Sequence, residues 1–307
     1  MSGTRARTGA DGAGTGGAGP GGTRPGATGP GGTPVKEALQ GAVTAIAAAG
    51  CETPRLDAEV LLASVLGVGR ERLLTDPTLN VRGPAVRAYQ NAVRRRSVER
   101  EPVAYITGRR GFRYIELKVD PRALVPRAET ELLVEAGLAA APGAAVLDIC
   151  TGSGAVALAL KQERPDLDVW GSDLSEPALA LARENAAALG LEVGWLHSDL
   201  LDEVPDRFDV VLANPPYVAD GERPTLAPEI LRHEPPGALF AGPYGLSVIA
   251  PLAAALGARR RVATVAIEVG AGQAERVGEL LREAGFGSLR FEADLAGINR
   301  VVIGGRD

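Results

Sequence analysis

The apolar residues of this chain fall into two rhythms, and the change from one to the other marks its parts. Val35, Leu39, Val43 and Ile46 recur at the spacing of one helix face, and Gly50 is placed to end that helix. Thr53-Pro54 reads as a cap followed by proline at the first helical position. Leu56, Val60, Leu61, Ser64 and Val65 carry this second helix to Gly67, and Arg70 to Thr75 gives a short third one. Pro84 opens a fourth, through Val86, Tyr89 and Val93 to about Arg100. The spacing predicts a small all-helical unit over 35–100. Over 101–127 the rhythm shortens. Tyr105-Ile106-Thr107, Phe112-Arg113-Tyr114-Ile115 and Leu117-Lys118-Val119 read as short strands with turns at Gly108 and Gly111, a β-hairpin linker.

From residue 128 strands and helices alternate. Thr130 reads as the cap of a helix carrying Leu132, Leu133, Val134 and Leu138. Strands are expected over 144–149, 168–173, 193–197, 208–213 and 263–269, with helices over 155–162, 177–189, 245–258 and 273–284. Two last strands, 289–292 and 298–303, have no helix between them and must pair antiparallel, because a few residues cannot make a parallel crossover. The pattern is an α/β, doubly wound sheet with an antiparallel end.

Composition adds the ends and the exclusions. Residues 1–34 are Gly, Thr, Ala, Pro and three Arg, too poor in apolar surface to offset ordering entropy, so a disordered tail is expected. A net charge of −5 argues against a protein built to grip phosphate backbones, and no stable nucleic-acid partner is expected. With Cys51, Cys150, His197 and His233 as the only cysteines and histidines, no metal is expected either. Few cysteines, no signal peptide and no long apolar run point to a cytoplasmic protein without membrane contact, expected as a monomer. Arg94, Arg95 and Arg96 read as a solvated face or as a contact for an acidic partner or RNA.

Two stretches carry chemistry. Asp148-Ile149-Cys150-Thr151-Gly152-Ser153-Gly154 turns from a strand into a helix whose N–H groups are expected to be free for a ligand. With Ala157, and with Asp173 where an acid would meet ribose hydroxyls, it fits a nucleotide-type fingerprint. Asp148 inside the motif favours a cationic amino or sulfonium group over a pyrophosphate, and Asp199 suits an adenine amino group. Both favour S-adenosylmethionine over NAD. The second stretch, Asn214-Pro215-Pro216-Tyr217, ends an apolar strand abruptly, since proline cannot donate to a ladder. The Asn214 side-chain oxygen and the Pro215 carbonyl can each accept one N–H of a planar –NH2 group, drawing its nitrogen toward sp³ for attack on a methyl. Tyr217 can pack on that group, and Arg127 is placed to hold a cation over a cleft.

These residues resemble the class I S-adenosylmethionine-dependent methyltransferases of –NH2 nitrogens. More narrowly, the chain resembles the bacterial protein-(glutamine-N5) methyltransferases of peptide-chain release factors. The narrower likeness rests on Glu101-Pro-Val-Ala-Tyr-Ile-Thr-Gly108, Leu124-Val-Pro-Arg-Ala-Glu-Thr-Glu131, Glu234-Pro235 and Asp294-x-x-Gly297-x-x-Arg300. It implies a seven-stranded sheet over 128–307, S-adenosylmethionine as donor and S-adenosylhomocysteine as product. The implied substrate is the glutamine of a Gly-Gly-Gln loop, docked with help from the helical unit. Cofactor contacts are implied at Asp148, Ile149, Cys150, Thr151, Gly152, Gly154, Asp173, Asp199, Leu200 and Asn214. Substrate contacts are implied at Asn214, Pro215, Pro216, Tyr217 and Arg127. The chain departs from the pattern at Ala128, where proline is usual, at Cys150, tolerable if its φ is negative, and at Leu200, where an aromatic is common. Another protein glutamine, such as one on a ribosomal protein, or adenine in DNA or RNA are the alternative acceptors.

Overall fold

The structure, a computed structural model, describes residues 32–306. The expected tail therefore lies outside the described residues as far as residue 31. Its end does not: β1 (Thr33–Pro34) pairs antiparallel with β2 (Asn80–Val81), clipping the chain to the helical unit. That unit contains α1 (Val35–Ala48), α2 (Pro54–Leu66), α3 (Arg70–Thr75) and α4 (Pro84–Ser97). α1 buries Val35, Leu39, Ala42 and Ile46. α2 does not bury the face its leucines and valines outline. Leu56 is exposed, while Asp57 and Glu59 are buried beside Ala58, Leu61 and Leu62. The helix packs against α1, α4 and a later helix, so one apolar stripe cannot describe its surroundings.

The buried carboxylates of α2 explain the arginines of α4. Arg96 Nε meets Asp57 Oδ2 at 2.6 Å, and each side chain is only 7% exposed. Arg94 pairs with Glu99 at 2.8 Å and Arg95 with Glu101 at 2.6 Å. Only Arg94 lies on a solvated face; Arg95 is partly covered and Arg96 is buried, and all three are engaged in intramolecular pairs.

The linker holds a helix where strand was expected. Residues 105–107 belong to α5 (Val103–Thr107). Val103 and Ile106 pack on the helical core, whereas Tyr105 enters the larger core and donates its hydroxyl to Ala123 O at 2.7 Å. Serving two cores within four residues requires a helical turn, and its apolar run mimics a strand. β3 (Arg109–Phe112) and β4 (Ile115–Lys118) then form the hairpin, with Arg113-Tyr114 as its turn. The run read as one strand, 112–115, is thus the hairpin's tip.

The remainder alternates as expected: α6 (Glu131–Leu138), β5 (Ala145–Ile149), α7 (Ala155–Glu163), β6 (Asp168–Asp173), α8 (Glu176–Leu189), β7 (Gly194–His197) and β8 (Val210–Ala213). A short helix the pattern did not show, α9 (Pro228–His233), precedes α10 (Ile249–Ala258). β9 (Thr264–Glu268), α11 (Ala274–Glu283), β10 (Ser288–Ala293) and β11 (Asn299–Gly305) complete it. The seven strands lie in the order β10-β11-β9-β8-β5-β6-β7, and β11 alone runs against its neighbours. Alternate strand residues serve opposite faces. Val146, Leu212 and Ala266 join the α6–α7 core, while Leu147, Val211 and Ile267 join the α10–α11 core. The chain order reverses at β5, between β6 and β8, which opens a crevice at the carboxyl ends of β5 and β8.

α9 ties the helical unit to that crevice. Glu229 accepts from Arg96 at 3.1 Å and from Arg100 at 2.6 Å, and His233 Nε2 lies 2.8 Å from Glu99 O. Among the described residues no helix is long and apolar enough to cross a membrane.

Candidate active site

A cavity of about 370 Å³ occupies the crevice. Asp148, Ile149, Cys150, Thr151 and Gly152 line it from the turn after β5, Asp173 from the end of β6, Asp199 and Leu200 from the turn after β7, and Asn214 and Pro216 from the turn after β8. Arg127 lines it from the segment before α6. Three expected residues are not on its wall: Gly154, Pro215 and Tyr217. Gly154 has φ 83°, and a Cβ there would lie 3.0 Å from both Leu158 Cδ1 and Trp195 Cη2. The absence of a side chain there is required by the packing of α7 against the sheet. Pro215 is buried behind the turn.

Asp148 is oriented differently from expectation. Its Oδ2 accepts from the Thr151 hydroxyl at 2.5 Å and from the Ala157 N–H at 3.2 Å. One of the N-terminal N–H groups of α7, that of Ala157, is therefore taken by a carboxylate of the chain itself. An anionic pyrophosphate would meet fixed negative charge here, whereas a cation would be stabilised. The cations on the wall do not reverse the balance, because Arg122 pairs with Asp120 and Glu184, and Arg127 with Glu234. A site with Asp148, Asp173 and Asp199 and no unpaired arginine fits a sulfonium donor that carries an amino group.

Burial pushes the Asp148 carboxyl up to about 7, against donation from Thr151 and Ala157 and with the help of Asp173. A ligand that brings positive charge favours the carboxylate, so S-adenosylmethionine is expected to bind more tightly as the pH rises through 7. The gain is roughly tenfold per pH unit at most below that point and vanishes well above it. The sign for the free fold is opposite. A carboxyl raised by folding contributes stability at low pH that is lost as the pH climbs through about 7. Calorimetric titrations across pH 5.5 to 8.5 (roughly the span a carboxyl at this value requires) check the prediction, and Asp148→Asn is expected to flatten the dependence.

Asp173 is preorganised. Its Oδ2 accepts from Gly152 N at 2.9 Å and its Oδ1 from Ser175 N at 2.8 Å, which leaves further acceptor capacity on both oxygens for a pair of hydroxyls. Asp173→Ala is expected to weaken S-adenosylmethionine by about 1–3 kcal/mol. Unchanged affinity by calorimetry would remove Asp173 from the ligand contacts.

Cys150 and Leu200 both adopt left-handed backbone, at φ 58° and 47°. The sequence allowed Cys150 only at negative φ, so this is a correction. Non-glycine residues held at positive φ store strain, and two of them flank this one cavity. At Ala128 the turn closes without the usual proline, since Glu131 N donates to Ala128 O at 3.1 Å. Arg127 does not reach over the cleft as a free cation: its Nη2 lies 2.5 Å from Glu234 Oε1, joining the segment before α6 to the segment after α9.

The Asn-Pro-Pro-Tyr turn is held from behind. Asn214 Nδ2 donates to Thr130 Oγ1 at 3.1 Å. Thr130 was read as a helix cap; its side chain makes no capping bond and serves Asn214 instead. Tyr217 donates its hydroxyl to Glu268 Oε1 at 3.2 Å, and Gln273 Nε2 donates to Tyr217 O at 2.9 Å. Gly245 is required beside it, because a Cβ there would lie 2.2 Å from Tyr217 O. Thr130, Glu268 and Gln273 were missed as site residues. The available signal was Glu268, a single carboxylate within the apolar run Val265-Ala266-Ile267-Glu268-Val269. Among the described residues no group of three or more His, Cys, Asp or Glu could hold a metal ion.

Comparison with known proteins agrees with this geometry. The family model described as PrmC N-terminal domain matches residues 37–108, and that described as methyltransferase small domain matches residues 128–239. A release factor glutamine methyltransferase of Caulobacter vibrioides is 39% identical over 83% of this chain and 91% of its own length. Proteins of the same description from Burkholderia pseudomallei and Mycolicibacterium smegmatis are 43% and 41% identical. They span 82% and 72% of this chain and 91% and 79% of their own lengths.

Proposed function

The chain belongs to the release factor glutamine methyltransferases, and from that premise we propose that Asn214, at the mouth of the cavity, holds the amide of the glutamine in a Gly-Gly-Gln loop. The enzyme methylates a release-factor glutamine with S-adenosylmethionine as donor. The observation that carries our assignment of Asn214 is its hydrogen bond to Thr130. With Nδ2 committed there, Oδ1 is the end available to the substrate, and an oxygen is what a primary amide's N–H requires.

When bound, the donor supplies an electrophilic methyl group on a sulfonium sulfur. The protein's part is to bring the amide nitrogen in line and to reduce its conjugation. Asn214 Oδ1 accepts one N–H of the substrate, orienting the nitrogen lone pair toward the methyl, and the Pro215 carbonyl, next in the same turn, takes the other only if the substrate reaches past the cavity wall to this buried residue. Once methylated, the substrate nitrogen would lose its surplus proton to water, so no strong base is needed from the chain. Tyr217 supports this turn from behind through Glu268 and Gln273. Asp148 and Asp173 hold the cationic and ribose ends of the donor. Pro216 and Arg127 border the substrate's path, Arg127 by bracing the wall with Glu234.

The helical unit over 35–100 is the docking element in this reading. It presents Leu56 and Leu74 to solvent, and its Arg96 and Arg100 fix α9 beside the cavity. We place the reaction in the cytoplasm, with the chain acting as a monomer on a transiently bound protein. Radiolabelled methyl donor offered together with a release factor, ribosomal proteins and duplex DNA tests the choice of acceptor. Label on the release factor is expected; label confined to ribosomal protein or to adenine would move the assignment to one of those alternatives.

A further inference from the structure

Behind the cavity sits a carboxylate that no step above consumes. Glu268 ends β9, one residue beyond Ile267, whose partner across the sheet is Ala213. That register sets Glu268 beside Asn214. It is 1% exposed, yet it pairs with no arginine or lysine among the described residues. A buried carboxylate without a cation is costly and is normally replaced by an apolar residue unless its acceptor oxygens are used.

One of them is used, and the other is buried beside a hydroxyl. Oε1 accepts from Tyr217. Oε2 is buried and has no partner at full hydrogen-bond geometry, while the Thr130 hydroxyl lies close enough to lower the carboxyl's pKa. A hydroxyl is a rotor, and with this acceptor on one side it turns its hydrogen toward Glu268 and its lone pair toward Asn214. Thr130, 4% exposed, then accepts from Asn214 Nδ2 at 3.1 Å. The two donors with full geometry, Asn214 Nδ2 to Thr130 and the Tyr217 hydroxyl to Glu268, run toward this carboxylate.

We propose that Glu268 is a positioning residue: through Thr130 it fixes which end of the Asn214 amide faces the substrate. Without an acceptor at 268, the Thr130 hydroxyl is free to donate to Asn214 Oδ1. The side-chain amide then turns over and presents –NH2 to an incoming –NH2, which cannot bond to it. Burial pushes the Glu268 carboxyl up to about 7, and the nearby Thr130 and Tyr217 hydroxyls pull it back. The inference rests on the assignment of Asn214 as the amide holder, so its test includes a measurement independent of any acceptor.

Three variants separate positioning from simple structural support. Glu268→Met removes the acceptor and fills the volume. Turnover is expected to fall about 10- to 100-fold, with S-adenosylmethionine affinity unchanged and the melting temperature kept or raised. Glu268→Gln is expected to restore most of the loss, because its oxygen can accept from Thr130 while its –NH2 donates to the Tyr217 oxygen. Thr130→Val is expected to match Glu268→Met, and the double variant to be no worse than Thr130→Val alone, as for residues in one series. In the free full-length protein, the Asn214 side-chain –NH2 is expected to show one slowly exchanging proton by NMR, lost in both Glu268→Met and Thr130→Val. The inference is overturned if Glu268→Met turns over like wild type, if its losses in rate and melting temperature move together, if the double variant's losses multiply, or if the Asn214 signal is unaffected. A wild-type signal that disappears in the variants, with no methyl transfer to a release factor, would uphold the relay and refute the acceptor assignment instead.

Discussion

Replacing Asn214 with alanine is expected to leave S-adenosylmethionine bound and methyl transfer lost, with turnover down by about 10³-fold or more. The asymmetry follows from where the side chain sits. Its Nδ2 is spent on Thr130; in the proposed assignment its Oδ1 faces the acceptor, while the donor's charge and hydroxyls fall to Asp148 and Asp173 on other strands. Removing the amide therefore takes away orientation of the nucleophile and little of the donor's binding energy. Deleting one preorganised polar group aimed at a reacting centre costs several kcal/mol of activation free energy, and here the same group also sets the attack angle. Single-turnover rates with saturating donor, beside calorimetric affinities, check both halves. Retained turnover would remove Asn214 from the reacting centre, and a parallel loss of donor affinity would make it a cofactor residue.

The second large effect is on stability and lies far from the cavity. Arg96→Met is expected to destabilise the protein by about 3–5 kcal/mol, the range for removing one partner of a buried ion pair. The variant leaves Asp57 buried with only the Thr53 hydroxyl, at 2.8 Å, and leaves Glu229 dependent on Arg100 alone. Because Glu229 lies on α9, the loss falls on the junction between the helical unit and the crevice as well as on the helical core. Denaturant unfolding gives the magnitude. A second substitution, Asp57→Asn, is expected to recover part of the loss by removing the stranded charge. A change below about 1 kcal/mol would mean that water reaches this pair and that the junction is held by other contacts.

Much of the fold was legible because its signals are local. β8 is buried on both faces and reads as an unbroken apolar run, and β5 and β9 read nearly so, with Asp148 and Glu268 as the carboxylates among their apolar residues. α8 ends where Gly190 takes left-handed backbone, and the antiparallel pairing of β10 with β11 follows from the shortness of their connection. The cavity's wall was legible for a related reason: in a doubly wound sheet, residues just past the strand ends converge wherever the chain order reverses. Asp148, Asp173, Asp199 and Asn214 are such residues.

What remained hidden depends on partners distant in sequence. Arg127 reads as a free cation until Glu234, 107 residues away, is seen beside it. Thr130 reads as a helix cap until Asn214, 84 residues away, donates to it. The arginines of α4 read as surface because their carboxylates lie on α2, on the stretch after α4 and on α9. In α5, a single turn serving two cores has no period long enough to distinguish it from a strand. Gly154 fits a ligand-binding fingerprint by spacing, whereas its lack of a side chain is used by Trp195 and Leu158.

The central claim, that Asn214 presents its oxygen to a glutamine amide of a release factor, is tested most directly by locating the methyl group. The full chain is incubated with S-adenosylmethionine and a release factor, and the product is read by peptide mass spectrometry. Asn214→Ala enzyme and a Gly-Gly-Ala substrate run alongside. One methyl group on the Gly-Gly-Gln peptide, absent with either control, is the predicted result. A methyl group elsewhere on the factor, or an equal yield from Asn214→Ala, would contradict it.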